Sequence, residues 1–405
     1  MKTGWQFAPL SELCEFFGDG DWIESKDQST NGIRLIQTGN VGEGLFKDRG
    51  EKARYISEAT FRRLRCTEIF EGDCLISRLP EPAGRSCLIP DTGERMITAV
   101  DCTIVRFNTT KVAPEFFNYY TQSRDYLNAI DGETTGTTRK RISRSKLGGT
   151  LIPVAPLAEQ QRIVAILDEA FDGIAIAKAN AEKNLQNARA LYTSQLLSIF
   201  DRNEHDWDKS SKPLSELCDF IVDCEHKTAP TQEKGFPSIR TPNIGKGKLL
   251  LQDVYRVSEE TYALWTRRAE PMPGDLILAR EAPAGNVAVI PENLRVCLGQ
   301  RTVLIRPDRQ IFEPEFLALT LLRPAMQQKL LAHSRGATVQ HVNMKDIRAL
   351  DVGAIPPLGT QREIISAADK AFQASERLQC IYQQKLVAID ELKKSLLHQA
   401  FSGAL

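Results

Sequence analysis

Two stretches of the chain carry a seven-residue rhythm of mostly apolar positions. In 157–200 one series runs Leu157, Val164, Phe171, Lys178, Leu185, Tyr192 and Ile199, and three residues on lie Gln160, Leu167, Ile174, Ala181, Ala188 and Gln195. In 358–402 the series is Leu358, Ile365, Phe372, Gln379, Leu386, Lys393 and Ala400, accompanied by Gln361, Ala368, Ser375, Tyr382, Ile389 and Leu396. Positions repeating in this way form the seam of a helix that pairs with another helix. Each stretch has almost no Gly or Pro and follows prolines, at 153 and 156 and at 356 and 357. A helix of this length spans about 65 Å at about 1.5 Å per residue and cannot bury its stripe alone. The two stretches are therefore expected to pair as an antiparallel coiled coil. Lys178 and Gln379 hold equivalent seam positions, where a polar residue sets register at some cost in stability.

The remainder is rich in Gly and Pro, with short apolar runs of strand type, such as 32–37 and 275–280. Turn signals bound them: Gly-Asp at 72–73 and 274–275, then Pro-Ala-Gly at 82–84 and 283–285. A helix is expected after each Pro-Glu-Phe, at 114 and 314, because proline costs little in a first helical turn. These segments recur in order at an offset of 200–204: PLSELCEFF at 9–17 returns as PLSELCDFI at 213–221, TGNVGEG at 38–44 as TPNIGKG at 241–247, and EGDCLISR at 71–78 as PGDLILAR at 273–280. The chain is written twice. The fold class expected is mixed α/β (α+β): two pseudo-twofold-related domains joined by the two long helices. The boundaries are 1–150 for the first domain, 151–202 for the first helix, 203–351 for the second domain and 352–405 for the second helix.

Length and composition narrow the function. The chain has 405 residues, 52 Lys+Arg and 52 Asp+Glu, so its formal net charge is zero and a wholly basic nucleic-acid coat is excluded. A local basic surface is not. No apolar run approaches a membrane span, and the first residues lack the apolar core of a signal peptide. Nine scattered cysteines fit reduced thiols in a cytoplasmic protein.

Catalytic signatures are missing. There is no GxxxxGK[ST] loop, no GxGxxG, no Gly-rich adenosylmethionine loop and no Asn-Pro-Pro-Tyr tetrapeptide. Cys218, Cys224 and His226 have irregular spacing for zinc and lack a matching second pair. No catalytic, cofactor-binding or metal site is assigned. Recognition is the expected task.

The candidate reading surface is the segment 134–146, which carries five positive charges and no acid. Thr138, Arg139, Lys140, Arg141 and Arg144 suit DNA, because Arg and Lys meet phosphates and Arg forks onto guanine. The repeat mate, 334–345, keeps Gly-x-Thr but offers Arg335, Thr338, Gln340, His341 and Asn343. Amides pair well with adenine N6 and N7. One scaffold with two sets of reading side chains would recognise two different half-sequences. Further candidates are Arg34, Gln37, Thr38 and Asn40 with their mates Arg240, Thr241 and Asn243. Arg78 and Arg280 lie at matched strand ends, where a buried salt bridge and a phosphate contact are both open.

The lead-in to the first helix, Leu151-Ile152-Pro153-Val154-Ala155-Pro156-Leu157-Ala158-Glu159-Gln160-Gln161-Arg162-Ile163-Val164-Ala165-Ile166-Leu167-Asp168, resembles that of the specificity subunit of type I restriction–modification enzymes. The second, Ala354-Ile355-Pro356-Pro357-Leu358-Gly359-Thr360-Gln361-Arg362-Glu363-Ile364-Ile365, fits more loosely, with Gly359-Thr360 where Ala/Ser-Glu is usual. The opening Pro-Leu-Ser-Glu-Leu, Gly-Asp-x-Leu and the Gly-x-Thr loop also match, so the resemblance covers essentially the whole chain. It implies two target recognition domains reading a split, asymmetric site on double-stranded DNA, with the helices as a spacer. It also implies two methyltransferase subunits and restriction/translocase subunits as partners. The cofactors S-adenosylmethionine, ATP and Mg would belong to those partners. A fused endonuclease/methyltransferase with degenerate motifs and a coiled-coil adaptor for proteins are the alternatives.

Overall fold

A computed structural model describes residues 4–136, 140–201, 207, 212–332 and 341–405. The chain divides into two units, Met1–Lys183 with Tyr382–Leu405, and Asn184–Ile381. Each unit holds one globular region and one half of each long helix.

In the first unit a four-stranded antiparallel sheet runs in the order Cys14–Asp19, Cys102–Phe107, Cys74–Ser77, Ser86–Leu88. In the second the same order recurs as Cys218–Asp223, Thr302–Pro307, Leu276–Ala279, Val287–Val289. The register is shared too, with Leu75 opposite Ile104 and Ile277 opposite Leu304. All four residues of Cys74–Ser77 and of Leu276–Ala279 are buried. Both faces of these strands are covered, which is why they read as continuous apolar runs and not as alternation. A second, mixed sheet packs in each unit; in it Ile33–Ile36 runs parallel to Met96–Thr98, and Phe236–Ile239 parallel to Cys297–Leu298.

The punctuation residues do the same work in both copies. Gly72 and Gly274 take φ values of 81° and 84°, which a side chain would strain. The Asp that follows each glycine is buried and bonds back to the amide of Phe70 or Met272. Its carboxylate also grips an arginine of the neighbouring strand, Arg106 or Arg306, at 2.7 Å. Helices Pro114–Tyr120 and Pro314–Leu322 begin at the expected prolines.

The long helices span Leu157–Asp201 and Leu358–Ser402, 45 residues each. Every seam position named above, including Leu157, Leu185, Leu358 and Leu386, is buried or half-buried. Within the first unit the early part of one helix packs antiparallel to the late part of the other: Ile163 and Leu167 join Leu397 and Ala400 in one core. Within the second unit Leu196 and Phe200 join Ile364 and Ala368. Small side chains at the inner seam let the backbones approach, and Ser375 Oγ donates to the Ala188 carbonyl of the other helix at 2.7 Å. The two polar seam residues differ in partner. Lys178 pairs across to Asp390 at 2.9 Å, whereas Gln379 bonds Ser375 on its own helix. Among the described residues no helix is long and apolar enough to cross a membrane.

Candidate nucleic-acid interface

Strand Cys74–Ser77 delivers Arg78 to the end of the first unit's sheet. Arg78 is 5% exposed. Its guanidinium bonds the Val100 carbonyl and lies 3.3 Å from the Asp19 carboxylate, and its amide donates to Asp101 O at 2.9 Å. Burial pulls the guanidinium below its ordinary pKa, partly offset by Asp19. The Arg78 carbonyl accepts the Ile142 amide at 3.2 Å, and Ile142 is fully buried. The basic loop is thus pinned to the strand end. Thr135 and Arg141 close its neck with two backbone hydrogen bonds of 2.9 and 2.8 Å. Past it, Ser143 caps the short helix Arg144–Gly148.

Four cations project here, each with an acidic neighbour. Lys140 meets Asp131 at 2.8 Å, Arg141 meets Asp101 at 3.0 Å, Arg144 lies 3.8 Å from Asp19, and Lys146 meets Glu133 at 3.0 Å. All four side chains are about half exposed. Pairs this wet contribute little to stability, so exchanging a carboxylate for a DNA phosphate costs little.

The second unit repeats the plan with other side chains. Arg280, at the end of Leu276–Ala279, accepts the Val342 amide at 2.9 Å through its carbonyl. Its guanidinium donates to Asp223 at 2.6 Å, to Val342 O at 2.9 Å, and faces His341 Nε2 at 2.9 Å. The other His341 nitrogen meets Glu281 at 3.1 Å, and Glu281 also pairs with Arg301 at 2.8 Å. Asn343 is exposed at the start of Met344–Arg348 and bonds Asp346. Thr138, Arg139, Arg335, Thr338 and Gln340 lie outside the described residues.

The sequence profile of the type I restriction modification DNA specificity domain matches residues 2–187 and again 206–381. The chain belongs to this family. The type I restriction enzyme EcoBI specificity subunit of Escherichia coli is 24% identical over 310 residues, which is 71% of this chain and 65% of that protein. The EcoKI specificity subunit of Escherichia coli (strain K12) is 21% identical over 311 residues, 72% and 65% respectively. The match therefore spans a little under two thirds of the length of these curated relatives. Among solved structures, a chain from work on complex assembly and conformational transition of the type I R-M system superposes with a TM-score of 0.78 at 19% identity, covering 100% of this chain and 99% of that one. The HsdS subunit from Thermoanaerobacter tengcongensis gives 0.61 at 20% identity, covering 100% and 98%. At these identities the likeness is one of fold.

In this specificity-domain chain the Thr-x-Asn turns have a building role. Asn40 accepts the Gln37 amide at 3.0 Å and donates to Lys47 O at 3.0 Å; Asn243 accepts the Arg240 amide at 3.1 Å and donates to Leu250 O at 3.2 Å. Both amides are thereby engaged at each end, and both residues are buried. Arg34 is 5% exposed, between Asp48 and Glu94, so its charge is consumed inside the fold. Gln37, Thr38 and Thr241 are half-buried, and Arg240 stacks on Tyr255 with 3.8 Å to the ring centre.

The structure brings Arg78, Lys140, Arg141 and Arg144 together, and likewise Arg280 with His341. One connecting residue escaped the sequence reading. Buried Arg85 donates to the carbonyls of Thr38, Val41, Leu79 and Pro82 at 2.8–2.9 Å, tying the Thr-x-Asn turn to the loop after Arg78. Its place directly after Pro-Ala-Gly was the available signal. The acids Asp19, Asp101, Asp223 and Glu281 were also missed, because carboxylates in isolated turns carry no periodic signature.

Proposed function

We propose that this chain is the sequence-reading, non-catalytic subunit of a type I restriction–modification complex. Each unit reads one half of a split, asymmetric site on double-stranded DNA. The helix pair fixes the gap between halves. Two methyltransferase subunits, and restriction/translocase subunits where present, assemble on it in the cytoplasm; S-adenosylmethionine, ATP and Mg act in those partners.

One observation carries the reading. The same strand end holds the same loop by the same backbone hydrogen bond in both copies, Ile142 to Arg78 and Val342 to Arg280. Yet the side chains presented differ: Lys140, Arg141 and Arg144 in one, His341 and Asn343 in the other. A shared frame with unlike contact residues is what reading two different half-sequences requires, since phosphate contacts position and base contacts specify.

Mapping methylated bases across a genome, with and without this chain alongside methyltransferase subunits, tests it. A two-part motif that vanishes with the chain is expected. Unchanged methylation would overturn the proposal. Inserting four residues into 157–200 should lengthen the gap and leave both half-motifs intact; an unaltered gap would remove the spacer role.

A further inference from the structure

Near each strand-end arginine lies a largely exposed flat ring. In the first unit the strand Cys14–Asp19 ends next to Arg78 and the chain continues through Gly20 and Asp21 to Trp22. The Asp21 carbonyl accepts the Val100 amide at 2.9 Å, and the Val100 carbonyl in turn receives the Arg78 guanidinium. Trp22 is therefore one residue from the backbone that carries the cluster. It is 69% exposed. The other described tryptophans are not: Trp207 is buried, and Trp5 and Trp265 pack against cores.

The second unit places a ring at the same point. Asp19 stands opposite Thr103 and Asp223 opposite Val303 in matching strand pairs, so the positions correspond, and three residues on from each come Trp22 and His226. The His226 carbonyl accepts from Gln300 at 3.1 Å, next to Arg301, whose carbonyl receives the Arg280 amide. The His226 side chain is 69% exposed and touches Asp223 at 3.4 Å. Around it stand Arg267 and Arg268, half exposed and shared with Glu225.

Leaving an indole in water forgoes the favourable burial its large apolar area offers. The neighbouring cations Arg141 and Arg144 in one unit, and Arg267, Arg268 and Arg301 in the other, mark this as the face that meets a polyanion. The groove of a duplex presents base edges, thymine methyls and sugars beside the phosphates, and an aromatic ring packs on these apolar surfaces without displacing counterions.

Resting on the DNA-reading role proposed above, we propose that Trp22 and His226 are paired base-contacting positions, each packing its ring against base edges and sugars in a groove of the half-site read by its own domain. The two rings differ in what they offer. Trp22 brings an apolar face, its one N–H being turned to the Glu24 carboxylate, whereas His226 brings two ring nitrogens. The substitution between copies is then part of why the half-sites differ.

The test uses the full chain assembled with methyltransferase subunits, and duplexes carrying its selected site. Trp22→Ala should weaken binding by about ten-fold, with Trp22→Phe restoring most of it, and with unfolding midpoints unchanged because the side chain is exposed. The slope of log affinity against log salt should stay as it was, since an uncharged ring releases no counterions. Scrambling the domain-one half-site should abolish the difference between Trp22→Ala and the unmodified chain. His226→Ala should likewise weaken binding, and scrambling the other half-site should abolish the difference. Affinity within two-fold of the unmodified chain for either variant, or a flattened salt slope for Trp22→Ala, would overturn the contact assignment. Failure of the unmodified assembly to select any split site would instead overturn the underlying reading, and is a separate result.

Discussion

Gln160 and Gln361, at corresponding positions in the two long helices, are both fully buried and make the same three hydrogen bonds. Gln160 accepts the Ala113 amide at 2.9 Å and donates to Lys111 O and Ala155 O at 2.9 and 2.8 Å. Gln361 accepts the Glu313 amide at 2.9 Å and donates to Ile311 O and Pro356 O at 2.7 and 2.8 Å. Each glutamine ties the head of its helix to the loop before the Pro-Glu-Phe helix. The seam spacing placed them at the helix interface; their amides act as joints to the globular region. The looser second lead-in leaves this joint intact. What changes is its rim: Arg162 pairs with Glu159, the corresponding positions hold Glu363 and Thr360, and Arg362, at the place of Gln161, pairs with Glu313 at 2.7 Å.

Truncating either joint should be costly. Gln160→Ala or Gln361→Ala leaves a buried N–H and two carbonyls without their partner, and each is expected to lose about 3 kcal/mol of stability. Urea unfolding of the two single variants checks it. A loss under about 1 kcal/mol would mean that water replaces the side chain.

The elements read best from sequence were those with long periodicity. Both helices start at Leu157 and Leu358 as expected because prolines mark their heads and the seam repeats without a break. The duplication gave the central strands a second witness, so 32–37 and 275–280 emerged as Ile33–Ile36 and Leu276–Ala279. The site was less legible. Polarity in a turn signals neither contact nor construction: Asn40 and Asn243 are spent on turn geometry, and Arg34 is locked between acids. Only the tertiary fold reveals which cations keep water.

Arg34 separates the two roles experimentally. Arg34→Met removes a cation whose side chain is 6% exposed and leaves Glu94 and Asp48 unpaired. The fold should weaken by about 2 kcal/mol, while the salt slope of DNA binding stays unchanged. A slope reduced by about one would return Arg34 to the phosphate contacts.

Asp101 restrains Arg141 at 3.0 Å. Asp101→Asn should free the guanidinium and raise DNA affinity several-fold at low salt, with a steeper salt dependence; Arg141→Ala should do the reverse and make the slope shallower by about one. Titrations at several salt concentrations distinguish these outcomes. Parallel lines for all three proteins would exclude Arg141 from phosphate contact.

Lys393 and Tyr192 hold corresponding seam positions, 201 residues apart, yet their surroundings punish one and reward the other. Tyr192 lies edge-on to Phe372 with ring centres 5.5 Å apart, and Lys393 lies over Phe171 at 4.9 Å. Burial pulls the Lys393 amine below its ordinary pKa, with Lys178 adding to the fall and Glu43 and Asp390 opposing it. Its folded pKa is therefore lower than its unfolded one, so the unfolded chain binds more protons between the two values and stability rises with pH across that window. Below the window the folded state carries the full penalty of a charged, half-buried amine. Lys393→Met should remove it and stabilise the fold by about 1 kcal/mol at neutral pH. The advantage should shrink as pH climbs toward the ordinary lysine value, because the unmodified chain sheds its own penalty there. Urea midpoints of the two proteins at neutral and alkaline pH measure this directly. A gap that stays constant with pH would assign the gain to packing against Phe171 and not to the charge.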